Sequence, residues 1–224
     1  MRLAILFASL LVDAALGADA PPVDVCPGAA TWNREHGVPV ETVRANSNGS
    51  TLISAKDLLG ELQVRVETDQ AARKRWLAEQ GNAQLANAVF SIDSANLTWL
   101  RKLISEKGFP TAAQVGIEGV HLAWVLVQHA DQDPKLQSDL IPVMEERFFA
   151  GELPANDLAR ITDRVLVAGG KPQRYGTQYD WFAGDFTLPE PEKLVEIDAA
   201  RSRLGLMPLA DYLCTLRVAR KSVM

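Results

Sequence analysis

Apolar residues recur at helical spacing in several segments of this sequence, and no stretch alternates apolar and polar residues long enough to build a sheet. Gly and Pro interrupt the pattern between segments. Helices are predicted over about 55–80, 94–107 and 119–130, after Asp133-Pro134, within 153–173, over about 192–204, and in a short segment within 205–216. The fold class predicted is all-α, a single compact multi-helix domain.

Residues with helix-capping preferences precede several of these segments. Ser54 can cap the first helix, Asp93 the second and Asp133 the fourth, where Pro134 suits the first turn. The first helix carries an apolar face that consists of Leu58, Leu62, Val66, Ala71, Trp76 and Leu77. These features support the helix boundaries and predict that the apolar faces are buried.

Residues 1–17 have the pattern of a cleaved secretory signal peptide. Arg2 precedes an apolar run through Val12, and small residues follow around Ala15 and Gly17. The run is much shorter than the ~20 residues that span a bilayer, so no stable membrane insertion is predicted and an uncleaved anchor remains the alternative. We expect an exported protein, periplasmic or secreted, with an extended segment over 18–54 and a helical domain over 55–224.

Cys26 and Cys214 are the only cysteines, and they lie near the two ends of the sequence. In an oxidising compartment they can pair, and closing so long a loop would stabilise the fold by on the order of 4–5 kcal/mol. Their wide separation matches neither a redox nor a zinc motif. The alternative is two free thiols, one of them buried in the last helix.

The net charge restricts the classes of partner. A formal charge of −5 argues against a broad nucleic-acid surface, which requires clustered Lys and Arg. No motif indicates a metal or another cofactor. A small polar molecule or a peptide is the partner that the sequence allows, and the oligomeric state is not indicated.

The stretch "VLVQHADQDP", residues 125–134, changes from apolar to polar within a few residues. Residues 122–127 are apolar on every face, which is typical of a buried helix. Gln128, His129 and Asp131 follow in its last turn, where an unpaired buried polar group would cost roughly 1–3 kcal/mol. These side chains either form a polar site or satisfy helix ends and nearby loops.

The segment "TDRV", residues 162–165, offers a second group of polar residues. Asp163 and Arg164 lie beside the apolar face of their helix, so one of them can turn inward. The alternative is an ordinary surface pair between Asp163 and Arg160.

The loop "GKPQRYGTQYDW", residues 170–181, is rich in polar and aromatic groups. Gly176 permits backbone angles that bring neighbouring amides together around an anion or a carbonyl oxygen. Donors and acceptors surround it on Gln173, Tyr175, Thr177 and Gln178. The loop therefore suits ligand contact, although a well-packed connector would have the same composition.

Two earlier segments add polar residues. Asp69 and Arg73 are four residues apart, which predicts a helix ion pair, and Gln70 is adjacent to Asp69. Asn96 lies in the first turn of the helix that Asp93 is expected to cap.

The ordered segments resemble a bacterial domain family known only as a domain of unknown function. They are "DQAAR", "DSANLTWL", "KGFPTAAQVG", "AWVLVQHADQDPKLQ", "LARITDRV", "GKPQRYGTQ" and "GLMPLADYL", which cover about residues 55–215. The resemblance implies no activity. It implies that one pattern includes Asp69, Gln70, Arg73, Asn96, Gln128, His129, Asp131, Asp163, Arg164, Gln173, Tyr175, Gly176, Thr177 and Gln178. His121 is not part of that pattern and is interpreted as structural.

These residues support an enzyme hypothesis. His129 would act as general acid or base, Asp131 or Asp163 would orient it, and Arg164 with the Gly176 loop would hold an anionic group. Hydrolysis is the first reaction class to test. Water would be the attacking group, because no Gly-x-Ser-x-Gly elbow is present and neither cysteine resembles an activated nucleophile. The substrate would be small and polar or anionic.

Two other hypotheses use the same residues. In a binding module of accessory or immunity-like type they would recognise a small polar ligand, a peptide or a protein. In a purely structural role they would fasten the helices together. A metal-activated water would require His129 with Asp131, Asp163 or Asp69, but no metal-binding spacing supports it.

Overall fold

The computed structural model describes residues 25–36, 53–79, 81–179, 186 and 189–223, which form eight α-helices and no strand. The helices are α1 (Pro27–His36), α2 (Lys56–Ala78), α3 (Ala83–Lys107), α4 (Ala112–Gln128), α5 (Pro134–Phe149), α6 (Ala155–Ala168), α7 (Pro191–Arg203) and α8 (Leu209–Val223). The all-α prediction is confirmed. The predicted signal peptide lies outside the described residues. Within them, no helix is both long and apolar enough to cross a membrane.

The chain groups into two compact units. Residues 44–161, the middle unit, contain α2 to α5 and the first half of α6; residues 1–43 and 162–224, the terminal unit, contain α1, the second half of α6, α7 and α8. The domain boundary predicted at residue 54 stays a prediction, because residues 37–52 are not described.

In the middle unit, α2 packs against α3 and α4, α3 packs against α4, and α4 packs against α5. The second half of α4 lies at the centre of these contacts, and residues 123–130 are all buried. Trp124 donates from Nε1 to the carbonyl of Asp157, which attaches α4 to the start of α6. The prediction that residues 122–127 form a buried helical segment agrees with this packing, except that Leu122 is only half-buried.

Two predicted helix caps are wrong, and for one of them the predicted start of the helix is wrong as well. Helix α3 begins at Ala83 rather than Ser94, because Asn82 accepts hydrogen bonds from the N–H groups of Gln84 and Leu85. Asp93 therefore lies inside the helix and does not cap it. Ser54 does not cap α2 either, because its hydroxyl donates to the carbonyl of Ala113.

Helix α4 also begins earlier than predicted. Thr111 and Gln114 form a reciprocal capping box ahead of the first turn. Gly116, with a φ of 74°, then interrupts the helical backbone. Residues on its two sides therefore do not lie on one continuous helical face, and the periodicity predicted only the part of the helix from Gly119. Asp133 caps α5 by accepting from the N–H of Leu136, with Pro134 in the first turn, which confirms that prediction.

In the terminal unit, α8 packs against α1 and α7. Phe186, Ile197, Leu209, Tyr212, Leu213 and Leu216 form its apolar core. The predicted disulfide is confirmed: Cys26, immediately before α1, is bonded to Cys214 in α8.

Helix α1 lies within residues 18–54, where an extended segment was predicted. Its sequence "PGAATWNREH" begins with Pro27, a residue that suits a first helical turn. Ala29 and Ala30 are buried, and Cys26 is cross-linked to α8. Tertiary contacts and the cross-link therefore stabilise a helix that has too few large apolar residues to be recognised by periodicity.

Candidate functional site

The buried face of α2 changes from apolar to charged along its length. Leu62, Val66, Asp69 and Arg73 recur at intervals of four, three and four residues, and all are buried. Ala71, which was predicted to continue the apolar face, is exposed. The second half of α2 therefore presents a carboxylate and a guanidinium to the neighbouring helices.

Helix α3 presents polar groups on its own packed face. Asp93 lies between Val89 and Asn96 at helical spacing, where an apolar residue would be expected. Asn96 accepts a hydrogen bond of 3.1 Å from Arg65, one turn of α2 before Asp69. The packed faces of α2 and α3 thus contain successive polar pairs.

His129 lies directly after α4 and contacts the carboxylate of Asp69. Its Nδ1 is 3.1 Å from Oδ1 and 3.0 Å from Oδ2 of Asp69. The Nε of Arg73 lies 3.3 Å from the same Nδ1. One ring nitrogen cannot donate to a carboxylate and accept from a guanidinium at once, and the shorter, charge-assisted contact favours Nδ1–H donating to Asp69.

Arg73 links the three other members of what we call the buried cluster, which is Asp69, Arg73, Asp93 and His129. Its Nη2 donates to Asp93 Oδ1 at 2.6 Å and lies 3.5 Å from Asp69 Oδ1. One guanidinium therefore faces two carboxyl groups and an imidazole, on residues contributed by α2, α3 and the end of α4.

The environments of the two carboxyl groups move their pKa values in opposite directions. Burial opposes ionisation of Asp69, but the charges of His129 and Arg73 outweigh it and lower the pKa of Asp69. Burial raises the pKa of Asp93 to about 6, and Asp69 and Asp131 add repulsion that Arg73 only partly offsets. When the pKa values of two neighbouring carboxyl groups differ in this way, the group with the higher pKa can act as an acid and the group with the lower pKa as a base.

Asp69, Asp93 and His129 each offer one metal-ligand atom, and these atoms lie within 4.8 Å of one another. A divalent ion could be held at that spacing, but Arg73 contacts all three residues. A cation already faces these donors, so the arrangement fits a guanidinium better than a metal ion.

The other predicted residues of the QHAD segment surround the end of α4. Gln137, a buried residue of α5, donates from Nε2 to the carbonyls of Val127 and Gln128 and to the carboxylate of Asp131. It thereby satisfies carbonyls that a helix end leaves without partners. Gln137 was not among the predicted site residues, although its spacing from Leu140 and Met144 matches the buried face of α5.

Gln70, also a predicted site residue, donates to Asp69 Oδ2 at 3.0 Å.

Asp163, in the terminal unit, is buried and binds the backbone of the loop over residues 170–179, which we call the YGTQ loop. Its Oδ1 accepts from the N–H groups of Arg174 and Tyr175 at 2.7 and 3.0 Å. Its Oδ2 accepts from the N–H and the hydroxyl of Thr177, both at 2.9 Å. Burial raises the pKa of Asp163, and these hydrogen bonds oppose the rise. The loop amides do converge on an anion, and that anion is the carboxylate of Asp163.

Other contacts hold the same loop in one conformation. Gln173 and Gln178 bond reciprocally through side chain and backbone, at 2.7 Å in each direction. Gly176 has a φ of 65°, and a Cβ there would lie 2.8 Å from a methyl group of Leu209. Arg201, which sequence analysis missed, is buried and donates to the carbonyls of Tyr175 and Met207. An arginine within an otherwise ordinary amphipathic helix gave no signal of this role.

The alternative of a surface pair between Arg160 and Asp163 is wrong, because both residues are buried. Arg164 is buried as well. Residues 157–164 are buried on every face of α6, so its polar residues face the interior in all directions.

The predicted site residues fall into two groups. Asp69, Gln70, Arg73, Asn96, Gln128, His129 and Asp131 belong to the middle unit; Asp163, Arg164, Gln173, Tyr175, Gly176, Thr177 and Gln178 belong to the terminal unit. Residues 180 and 181 of the predicted loop lie outside the described residues. A ligand-binding or catalytic role for either group stays a prediction.

The middle unit contains a second His–Asp pair. His121 Nδ1 lies 2.7 Å from Asp157 Oδ2, and its ring stacks on Trp124 with a centroid separation of 5.4 Å. His121 is half-buried, whereas His129 is buried. This pair joins α4 to α6 and serves below as a matched comparison for His129 and Asp69.

The described residues define an all-α protein with a buried cluster of two aspartates, an arginine and a histidine. The chain belongs to the family described as "Family of unknown function (DUF6624)", whose model matches residues 56–221. No curated protein and no solved structure matches the chain. The resemblance to a family of unknown function is thus confirmed, and no activity comes with it.

Proposed function

We propose that this chain is an exported hydrolase, periplasmic or secreted, in which His129 is the general acid–base residue. The observation that carries the proposal is the contact between His129 Nδ1 and the buried carboxylate of Asp69. A carboxylate on Nδ1 sets the tautomer and the orientation of an imidazole, so that Nε2 exchanges the proton. Water is the nucleophile in this proposal, and neither cysteine competes with it as a thiol because the two form the disulfide.

The charges of the cluster bear on the substrate. Asp69 and Asp93 contribute carboxyl groups, Arg73 is the guanidinium paired with both, and the nearby Asp131 adds a further negative charge. An anionic substrate would meet repulsion here, and the YGTQ loop amides that were expected to hold an anion already bind Asp163. We therefore favour a small polar substrate that is neutral or cationic.

A search for turnover tests this proposal. The purified chain is incubated with a metabolite mixture, and products are sought by untargeted mass spectrometry. His129→Gln is expected to lose product formation by about 100-fold or more, which is the usual contribution of a general acid–base residue. His121→Gln is the matched control, because it breaks a His–Asp pair of the same unit and is expected to retain turnover.

Melting temperatures of the three proteins separate catalysis from stability. If His129→Gln has the melting temperature of the wild-type protein and makes no product, the variant has lost catalysis and not stability. If the wild-type chain makes no product from any mixture, or if His129→Gln retains full turnover, the hydrolase proposal is wrong.

A non-catalytic binding module is the second candidate, and one observation favours it. Among the described residues, the buried Nδ2 of Asn96 has no hydrogen-bond partner, and a bound acceptor would satisfy that donor. This candidate predicts a ligand-induced rise in melting temperature without product, and the rise should disappear in Asn96→Leu.

A further inference from the structure

Asp93 is the member of the buried cluster that is most open to solvent. Its side chain is 13% exposed, against 0% for Asp69, 3% for Arg73 and 6% for His129. A proton from solvent therefore reaches Asp93 more readily than the other three side chains. The helix-capping role predicted for Asp93 belongs to Asn82 instead.

The surroundings of Asp93 raise its pKa, so this carboxyl group keeps its proton to a higher pH than an ordinary aspartate does. From α2 it faces Asp69 and Arg73, and the charge of Asp131, in the turn after α4, also acts on it. His129 contacts the carboxylate of Asp69 through Nδ1. Arg73 divides its charge between two carboxyl groups, and Asp69 has the imidazole as a second partner. Two carboxyl groups with oxygen atoms within 4.8 Å of each other do not both ionise readily.

The pKa directions agree with this geometry. Burial raises the pKa of Asp93 to about 6, whereas His129 and Arg73 lower the pKa of Asp69 against the effect of its burial. The two carboxyl groups therefore differ in role: Asp69 is the ionised partner of His129, and Asp93 is the group that gains and loses a proton.

We infer that Asp93 is the second proton-transfer residue of this site, donating to the leaving group while His129 accepts from water. This inference rests on the proposed function. As the oxygen of water bonds to the electrophilic centre of the substrate, His129 takes a water proton. As the bond to the leaving atom breaks, that atom receives the proton of Asp93. Transfer of the proton from His129 back to Asp93 restores the starting state, so no other reactant is needed.

Carboxyl ¹³C NMR of aspartate-labelled protein tests the proton-carrying role without a substrate. Between pH 4 and 8, the wild-type protein should show one aspartate carboxyl that titrates near pH 6, and Asp93→Asn should lack it. Asp133→Asn is the matched control, because Asp133 caps α5 and its pKa is lowered by backbone and Arg101 hydrogen bonds. That variant should keep the titration near pH 6. A wild-type spectrum without this titration, or its persistence in Asp93→Asn, overturns the inference.

The pH profile of turnover separates this inference from the proposed function. Asp93→Asn should lower kcat by about 100-fold and remove the limb of the profile near pH 6. Asp93→Glu should recover part of the rate, and it also covers the case in which Asp93→Asn does not fold. Loss of turnover in His129→Gln with a normal profile in Asp93→Asn would overturn the inference alone. Absence of turnover in the wild-type protein overturns both catalytic roles, whereas the NMR titration still reports whether Asp93 holds the proton.

Discussion

Arg73 Nη2 donates to Asp93 Oδ1 at 2.6 Å and joins α2 to α3 where both helices are packed. Lys135 and Asp139 lie at the same 2.6 Å on α5, but both side chains are exposed. The two pairs have the same distance and differ in burial, so a comparison of their variants measures what burial contributes to a charge pair.

Arg73→Met is expected to lower the free energy of unfolding by about 3–5 kcal/mol, because it leaves Asp69 and Asp93 buried without their cation. The double variant Arg73→Met, Asp93→Leu should lose less than the sum of the two single variants. Urea denaturation at pH 7 followed by circular dichroism measures both. Lys135→Met is the control and should unfold with the wild-type protein, since water solvates both members of that pair. Additive losses in the double variant would show that the buried pair is not coupled.

The stability of the wild-type protein should fall relative to Asp93→Asn as pH rises from 4 to 7. The pKa of Asp93 is about 6 in the folded state, whereas the ordinary pKa of an aspartate carboxyl, taken for the unfolded chain, is 3.8. The folded state therefore holds the proton more tightly, and the stability from this group is complete below pH 3.8 and lost as pH rises through 6. A loss of about 2 kcal/mol is expected.

Urea unfolding at several pH values tests the prediction through the difference between the two proteins. Asp69 does not interfere, because its lowered pKa places its contribution above pH 3.8 and its loss at more acidic pH. Parallel stability curves for the two proteins would contradict the raised pKa of Asp93.

Asp163→Asn is expected to destabilise the terminal unit by about 2–4 kcal/mol. An amide presents an NH₂ group to N–H donors that the carboxylate now satisfies. Hydrogen exchange at Arg174, Tyr175 and Thr177 should accelerate in the variant. Thr177→Val removes the two hydrogen bonds of the hydroxyl, to Asp163 Oδ2 and from Gln178 Nε2, and keeps the amide contact with Asp163, so it should cost about 1–2 kcal/mol. Unchanged exchange at these three amides would contradict the anchoring role of Asp163.

Replacing both Cys26 and Cys214 by Ser is expected to lower the free energy of unfolding by about 2–5 kcal/mol. The cross-link attaches α1 to α8, so α1 should lose protection from hydrogen exchange first. The wild-type protein in a reducing buffer should unfold like the double variant, and the variant should not respond to the reductant. Equal stability of the oxidised and reduced wild-type protein would contradict this prediction.

Periodicity predicted the helices well where apolar residues mark the buried face, and it failed where polar residues replace them. On α2 the face continues through Asp69 and Arg73, so the sequence suggested Ala71 in their place. On α3 the same rule predicted that the helix begins after Asp93, whereas Asp93 lies inside the helix. A buried charge has the same sequence signature as an exposed one, and the contacts that distinguish them come from other helices.

The sequence allowed several residues of the candidate site to be chosen, but it did not predict which of them contact one another. His129 with Asp69 and Arg73 could be chosen as polar residues near apolar segments, but their mutual contacts join residues 56 and 60 positions apart. The role of Asp163 depends on backbone N–H groups, which every residue except proline carries and which therefore leave no trace in a sequence. The disulfide was predictable because a chain with two cysteines allows a single pairing.

The cross-link between Cys26 and Cys214 closes a ring that contains most of the chain, since the two cysteines are 188 positions apart. A protease that cuts one peptide bond anywhere within that ring would leave two fragments joined through sulfur. Such a nicked molecule would keep its mass on a non-reducing gel and separate into pieces after reduction. It could also refold as one molecule, because its fragments cannot diffuse apart.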